Sequence, residues 1–195
     1  MNLTELQAEV YTITGRPDLI AETLLAVRQS TLALHQSDFF WRDLYETGIS
    51  FASSGYLQEL SYRTLIPRFR ALKFFRKSDS SGTAGAFFTV VQPESVLDSY
   101  GSDRTDVCYA AGDSIEIKSS TLFQYAILGC YLNPDITVAG YTSWIAIDHP
   151  YAIILEAAEK VFKMIGKDTE FAAYKFLRDE EKQRVIITNT QLQGY

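Results

Sequence analysis

A chain of 195 residues that is 47% apolar and 22% charged is long enough to bury a core and too hydrophobic to remain disordered. Its formal net charge of −6 argues against a general nucleic-acid binder, whose affinity comes from neutralising phosphates. No run approaches the roughly 20 apolar residues that cross a bilayer, and the opening MNLTELQAEV has neither a basic nor an apolar leader pattern. The expectation is a protein made and kept in the cytoplasm, away from membranes. Cys108 and Cys130, both in apolar strand-like sequence, are expected as buried reduced thiols.

In chain order, residues 2–14 predict a short helix. Asn2 caps it, Glu5 sits in its first turn, Leu3, Leu6, Val10 and Ile13 form the apolar face, and Gly15 ends it. Pro17 opens a second helix, in which Ile20, Leu24, Val27, Thr31 and Leu34 keep the seam to about Gln36. Segment 1–37 is therefore an N-terminal pair of helices.

After Asp38 the period shifts toward two. Segments 39–51 and 56–62 predict strands, with the small residues 52–55 as a turn between them. A strand over 69–76 leads to the loop SDSSGTAG at 78–85, a strand over 87–91 and a single helical turn over 93–98. A tight hairpin of 107–110 and 114–118 follows, then a strand over 123–132. Segment 39–132 thus predicts a small antiparallel sheet.

Segment 148–186 predicts an αα-hairpin. Asp148 and Pro150 start the first helix, Ile154, Ala157, Ala158, Val161 and Ile165 line it, and Gly166 closes it. Phe171, Tyr174 and Leu177 anchor the second helix, which turns wholly polar from Arg178 to Arg184 like a stalk. The remainder is uncharged and reads as an extended docking tail: Ile187, Thr188, Asn189, Thr190, Gln191, Leu192, Gln193, Gly194 and Tyr195. An ordinary disordered terminus is the alternative. The expected fold is α+β: about four helices in a bundle packed with a small central antiparallel β-region, with an extended C-terminal tail. The expected organisation is one domain over 1–186, with the tail at 187–195.

The motifs that usually carry catalysis are missing: there is no glycine-rich phosphate loop, no G-x-S-x-G, no H-E-x-x-H and no paired-cysteine zinc spacing. His35 and His149 fall at a helix end and a helix start, as capping or surface histidines do. Cys130 with His149 and Asp148 is the one imaginable nucleophile, base and orienter, but AILGCYL supplies no cation to activate the thiol. Asp103, Asp106 and Asp113 lack the glycine and closing glutamate of a calcium loop. No catalysis, cofactor or metal is expected.

One constellation stands out. Arg63, Arg68, Arg70, Lys73, Arg76 and Lys77 are six of the eighteen basic residues, with no acid between them, and Phe69, Leu72, Phe74 and Phe75 are interleaved. The strip suits an acidic neighbour or a phosphate. It equally suits an edge strand guarded by its charges against aggregation. The net charge favours a protein partner over DNA.

The succession MNLTELQAEVYTITGRPD, RFRALKFFRK, LNPDIT and PYAIILEAAEKVFKMIGKDTEFAAYKFLRDEE resembles the head-to-tail adaptor, or connector, proteins of tailed bacteriophages. The resemblance covers nearly the whole chain and lies in layout and helix pattern. It implies a structural protein of the virion neck, synthesised in the bacterial host, that forms a closed ring of about twelve copies. The ring would join the portal to a tail, neck or nozzle protein, with double-stranded DNA passing through its lumen without specific binding. Residues 187–195 would be the portal contact and the basic strip an inter-subunit or partner contact. Three alternatives remain: a head-completion stopper or tail-terminator ring, a soluble bacterial interaction module, and a small enzyme using Cys130 or His149.

Overall fold

The structure, a computed structural model, describes residues 1–97, 102, 104–138 and 140–192. Asp98, Asp103 and, from the expected tail, Gln193, Gly194 and Tyr195 lie outside them. In chain order the elements are α1 (Leu3–Thr14), α2 (Ile20–Gln36), β1 (Leu44–Ser61), α3 (Tyr62–Leu65), β2 (Phe69–Ser78), β3 (Ala84–Val90), β4 (Val107–Ala111), β5 (Ser114–Leu132), α4 (Trp144–Asp148), α5 (Pro150–Met164) and α6 (Asp168–Leu192). They form two compact units, a helical one of Met1–Asp43 with Asn133–Tyr195 and a β-rich one of Leu44–Leu132.

The helical unit is built on α5. Its Ala152, Ile153, Ile154, Ala157, Ala158, Val161 and Phe162 are all buried, because neighbours cover it on several sides. Leu3, Leu6 and Val10 of α1, Ala26, Val27 and Leu34 of α2, and Val185 of α6 belong to the same core. α1 starts with a reciprocal cap: the Glu5 N–H donates to Asn2 Oδ1 and the Asn2 N–H to Glu5 Oε2, both at 2.9 Å. Gly15 ends it at φ 65°, where a side chain would be strained. Helix α2 begins at Ile20, three residues later than Pro17 suggests. A turn closed by the Leu19 N–H on the Arg16 carbonyl occupies the intervening residues, and Arg16 grips Asp18 at 2.7 Å. At the other hairpin Asp148 does not cap α5. It pairs instead with Arg42, and Ser143 caps the short α4.

The expected polar stalk does not form, nor, over residues 187–192, does the extended tail. Helix α6 runs unbroken for 25 residues, about 37 Å, because nothing between Asp168 and Leu192 is Gly or Pro. Phe171, Tyr174, Arg178, Val185 and Asn189 recur at helical spacing along the side that packs. Arg178 reaches Glu159 of α5 at 3.0 Å, so the polar stretch is tied to the unit by an ion pair. Val185 is fully buried beyond it, and Asn189 Oδ1 accepts the Trp41 N–H at 3.3 Å. The last turns return to the core.

Nor is the β-region small. β1 has 18 residues and β5 has 19, and the sheet order β1-β5-β2-β3-β4 returns from β4 to β5. Strands β5, β2, β3 and β4 thus close a four-stranded barrel, with β1 added along the other edge of β5. Two shorter strands share one side of β5: Leu72 stands opposite Cys130 and Val107 opposite Lys118. β3 and β4 are parallel and the other pairs antiparallel.

One expected turn is a bulge, and two expected strands are one. Residues 52–55 do not reverse the chain, and 114–118 joins 123–132 in one strand. Between the pairs Ser50 opposite Tyr125 and Leu57 opposite Lys118, β1 loses register first and β5 loses it next, so the two slips compensate. Both strands bend there together, and small residues tolerate the bend. Phe75, Phe88, Cys108, Ile115, Ile117, Leu128 and Cys130 fill the core of this unit. At Gly129 an added Cβ would lie 2.2 Å from the Phe74 ring, which lies across the glycine from the paired strand.

Candidate functional site

The imagined nucleophile is built as a structural residue. Cys130 is fully buried in β5, and burial pushes its thiol up to about 11, leaving no thiolate at neutral pH. Cys108 is likewise pushed up to about 12. His149 is half-buried where α4 meets α5. Among the described residues no group of three or more His, Cys, Asp or Glu could hold a metal ion, and no helix is long and apolar enough to cross a membrane.

His35 is neither capping nor at the surface. Its Nδ1 lies 2.9 Å from both carboxylate oxygens of Asp43, and Trp144 Nε1 donates to Asp43 Oδ1 at 2.8 Å. All of this is inside the helical unit, where the cluster fastens the end of α2 to α4. A signal was present in the sequence: His35 follows Thr31 by one helical turn on the buried seam.

The six-residue basic strip is divided among several tasks within the β-rich unit. Arg63 on α3 pairs with Asp113 in the turn between β4 and β5. Lys77 donates to Asp106 at 2.8 Å and to Thr121 at 2.9 Å. Asp106 is held down to about 2, first by the hydrogen bond from Lys77 and then by that from Ser120. The Arg76 guanidinium lies 5.6 Å from the Phe74 ring and 5.4 Å from the Phe87 ring. Arg70 is half-buried beside a cleft of about 400 Å³ that Tyr62, Arg63, Ile66, Pro67 and Phe69 also line. Arg68 and Lys73 are exposed and, among the described residues, make no ion pair. The acids that engage Arg63 and Lys77 lie about 30 to 50 positions further on, so spacing alone could not pair them.

Of the expected tail, Ile187 faces outward, Thr188 is half-buried and Asn189 is buried. Thr190 Oγ1 donates to the Ile186 carbonyl one turn back, as in a continuing helix, and Gln191 and Leu192 complete α6.

Exposed apolar side chains of the helical unit went unread in the sequence, and Ile20, expected on the covered seam of α2, is exposed as well. On α2 and α5, Ile20, Leu25 and Met164 are 64%, 55% and 52% exposed. Leu25, Ala26, Val161 and Met164 floor a groove of about 160 Å³ there, rimmed by Glu22, Gln29 and Lys160. On α6, Phe176 and Leu177 are 65% and 43% exposed, although Leu177 had the spacing of a core position.

No protein-family model matches the chain, and none of the curated proteins is similar to it. Function therefore rests on the residues and the geometry.

Proposed function

We propose that the chain is one subunit of a homo-oligomeric ring in the neck of a tailed-phage virion, the head-to-tail adaptor between the portal and a tail or nozzle protein. One observation carries the ring reading. Large apolar side chains remain exposed at several places on the helical unit, among them Leu25 and Met164 on α2 and α5, Ile147 and Tyr151 at α4 and α5, and Phe176 on α6, and a subunit of a closed ring needs apolar surface for each neighbour. The layout resemblance supplies the identity of the assembly. The net charge of −6, with Arg63 and Lys77 already paired, suits a channel wall along which double-stranded DNA moves without adhering.

On this reading the portal contact is the outward side of the end of α6, around Ile187 and Thr190, presented on a helix. A weak contact of this size becomes firm when it is repeated around a ring. Arg68 and Lys73, the exposed members of the basic strip that make no ion pair among the described residues, meet acidic surface on a neighbouring copy or on the portal. The test is co-sedimentation with portal rings, using Ile187→Glu for the helix end and Arg68→Glu with Lys73→Glu for the strip. Circular dichroism is expected to stay unchanged, and binding to fall with Ile187→Glu. Binding of Ile187→Glu at the wild-type level would remove the end of α6 as the docking element.

A further inference from the structure

The strand that borders the sheet is weakly defended. β1 stands at the end of the order β1-β5-β2-β3-β4, and among the described residues no strand pairs with its other edge. Alternate residues along that edge turn a backbone N–H and C=O outward, and the partner that fits such a row is another extended backbone. Edge strands are ordinarily blunted by Lys, by Pro or by bulges. Leu44–Ser61 has no Lys, Arg or Pro, and its charged residues are Glu46 and Glu59. Arg70, Lys73, Arg76 and Lys77, which read in sequence as the guards of an edge, lie instead on β2, between β5 and β3.

The bulge beyond Ser50 divides β1 and leaves Leu44–Ser50 as a regular stretch, in step with residues 131–125 of β5. Side chains alternate along it. Ile49 enters the core, with Thr47 half-buried and Tyr45 44% exposed on the same side, while Glu46, Gly48 and Ser50 are exposed on the other. Thr47 is the middle residue. Two copies of this stretch turned antiparallel about Thr47 set Thr47 against Thr47, Tyr45 against Ile49, Glu46 against Gly48 and Leu44 against Ser50. Thr–Thr and aromatic–β-branched pairs stabilise antiparallel strands, and like charges directly opposite destabilise them. Centring the pair one residue earlier sets Glu46 against Glu46, and centring it one residue later carries it into the bulge. A Cβ added at Gly48 would meet nothing within 4 Å, so the place opposite Glu46 is open.

We propose that in the free protein two copies of this chain pair along β1, with Leu44–Ser50 of one antiparallel to Leu44–Ser50 of the other about Thr47. The sheet then runs on from the β5 of one copy to the β5 of the other. Because both copies use the same surface, the contact is isologous and closes at two. It covers the regular part of the open edge in both copies at once. The inference goes beyond the ring reading and does not rest on it, since the exposed apolar side chains of the helical unit take no part.

The test reads pairing of the full-length protein by size-exclusion chromatography with light scattering, and register by oxidation. Thr47→Cys meets its own counterpart across the two-fold, so mild oxidation is expected to give a covalent dimer. Ser50→Cys, whose counterpart lies at the far end of the paired stretch, is expected to give none. The native Cys108 and Cys130 are fully buried and do not interfere. Thr47→Lys and Thr47→Asp each set like charges opposite and are expected to lose the dimer with unchanged circular dichroism. An equal mixture of the two is expected to recover the wild-type dimer fraction, which separates loss of the contact from loss of the fold. Wild-type protein that runs as a monomer overturns the proposal. So does Ser50→Cys that cross-links as well as Thr47→Cys, or a mixture of the charged variants that fails to pair.

Discussion

Val185→Ala tests whether the end of α6 is packed or merely projects. Val185 is 1% exposed in the core that α1, α2 and α5 share. Removing two carbons forfeits about 1.6 kcal/mol of transfer free energy at about 0.8 kcal/mol per methylene, and the unfilled space adds to the loss. Alanine returns about 0.5 kcal/mol as the better helix former, which leaves a net destabilisation of about 1.5 kcal/mol. For a unit of this size the melting temperature falls by about 4 °C per kcal/mol, so a decrease of about 6 °C is expected. Ile187→Ala, two positions on and 52% exposed, is the control and should shift the transition by under about 1 °C. Thermal unfolding followed by far-ultraviolet circular dichroism reads both. Equal shifts for the two variants would mean that α6 leaves the core before Val185, and the helical description of the C-terminus would be wrong.

The β-rich unit offers two further tests, and the His35 cluster a third. Gly129→Ala forces the Phe74 ring off the glycine and is expected to cost about 1 to 3 kcal/mol in urea unfolding. Phe74→Leu should recover part of that loss, and purely additive effects would deny the contact. Asp106→Asn probes the carboxyl that is held down to about 2. Its contribution is present above pH 4 and is lost as pH falls toward 2, so the stability gap between wild type and variant should close over that range. The side chain is 40% exposed, which limits the gap to under about 1 kcal/mol; a gap independent of pH would remove Asp106 as its source. His35→Ala leaves the buried Asp43 carboxylate with Trp144 as its remaining side-chain donor and should destabilise by about 3 kcal/mol in the same assay; a loss under about 1 kcal/mol would mean the cluster does not fasten α2 to α4.

What the sequence disclosed and what it concealed have physical causes. The start and end of α1 are legible because Asn2, Glu5 and Gly15 do local work that no distant residue alters. The tight turn of the β4–β5 hairpin is legible for the same reason, with Gly112 at φ 59°. Residues 52–55 misled because small residues serve a reversal and a bulge equally well, and the choice depends on the matching slip in β5. The C-terminal run VIITNT looked extended because β-branched residues suit strands. Its burial by α5 and by the turn at Trp41 decided for helix instead.

The candidate surfaces divide along the same line. Six cations with no acid between them are plain to read, but the partners of Arg63 and Lys77 come from loops about 30 to 50 positions further on and take those two residues into the unit's own ion pairs. The exposed Leu25, Met164 and Phe176 were invisible, because periodicity marks the covered side of a helix and is silent about apolar residues left on the other.

Electron microscopy of the purified protein, alone and mixed with portal rings, tests the adaptor reading most directly. Closed rings of this chain stacked coaxially beneath the portal are the expected result. Dispersed single subunits with no density added below the portal would contradict it.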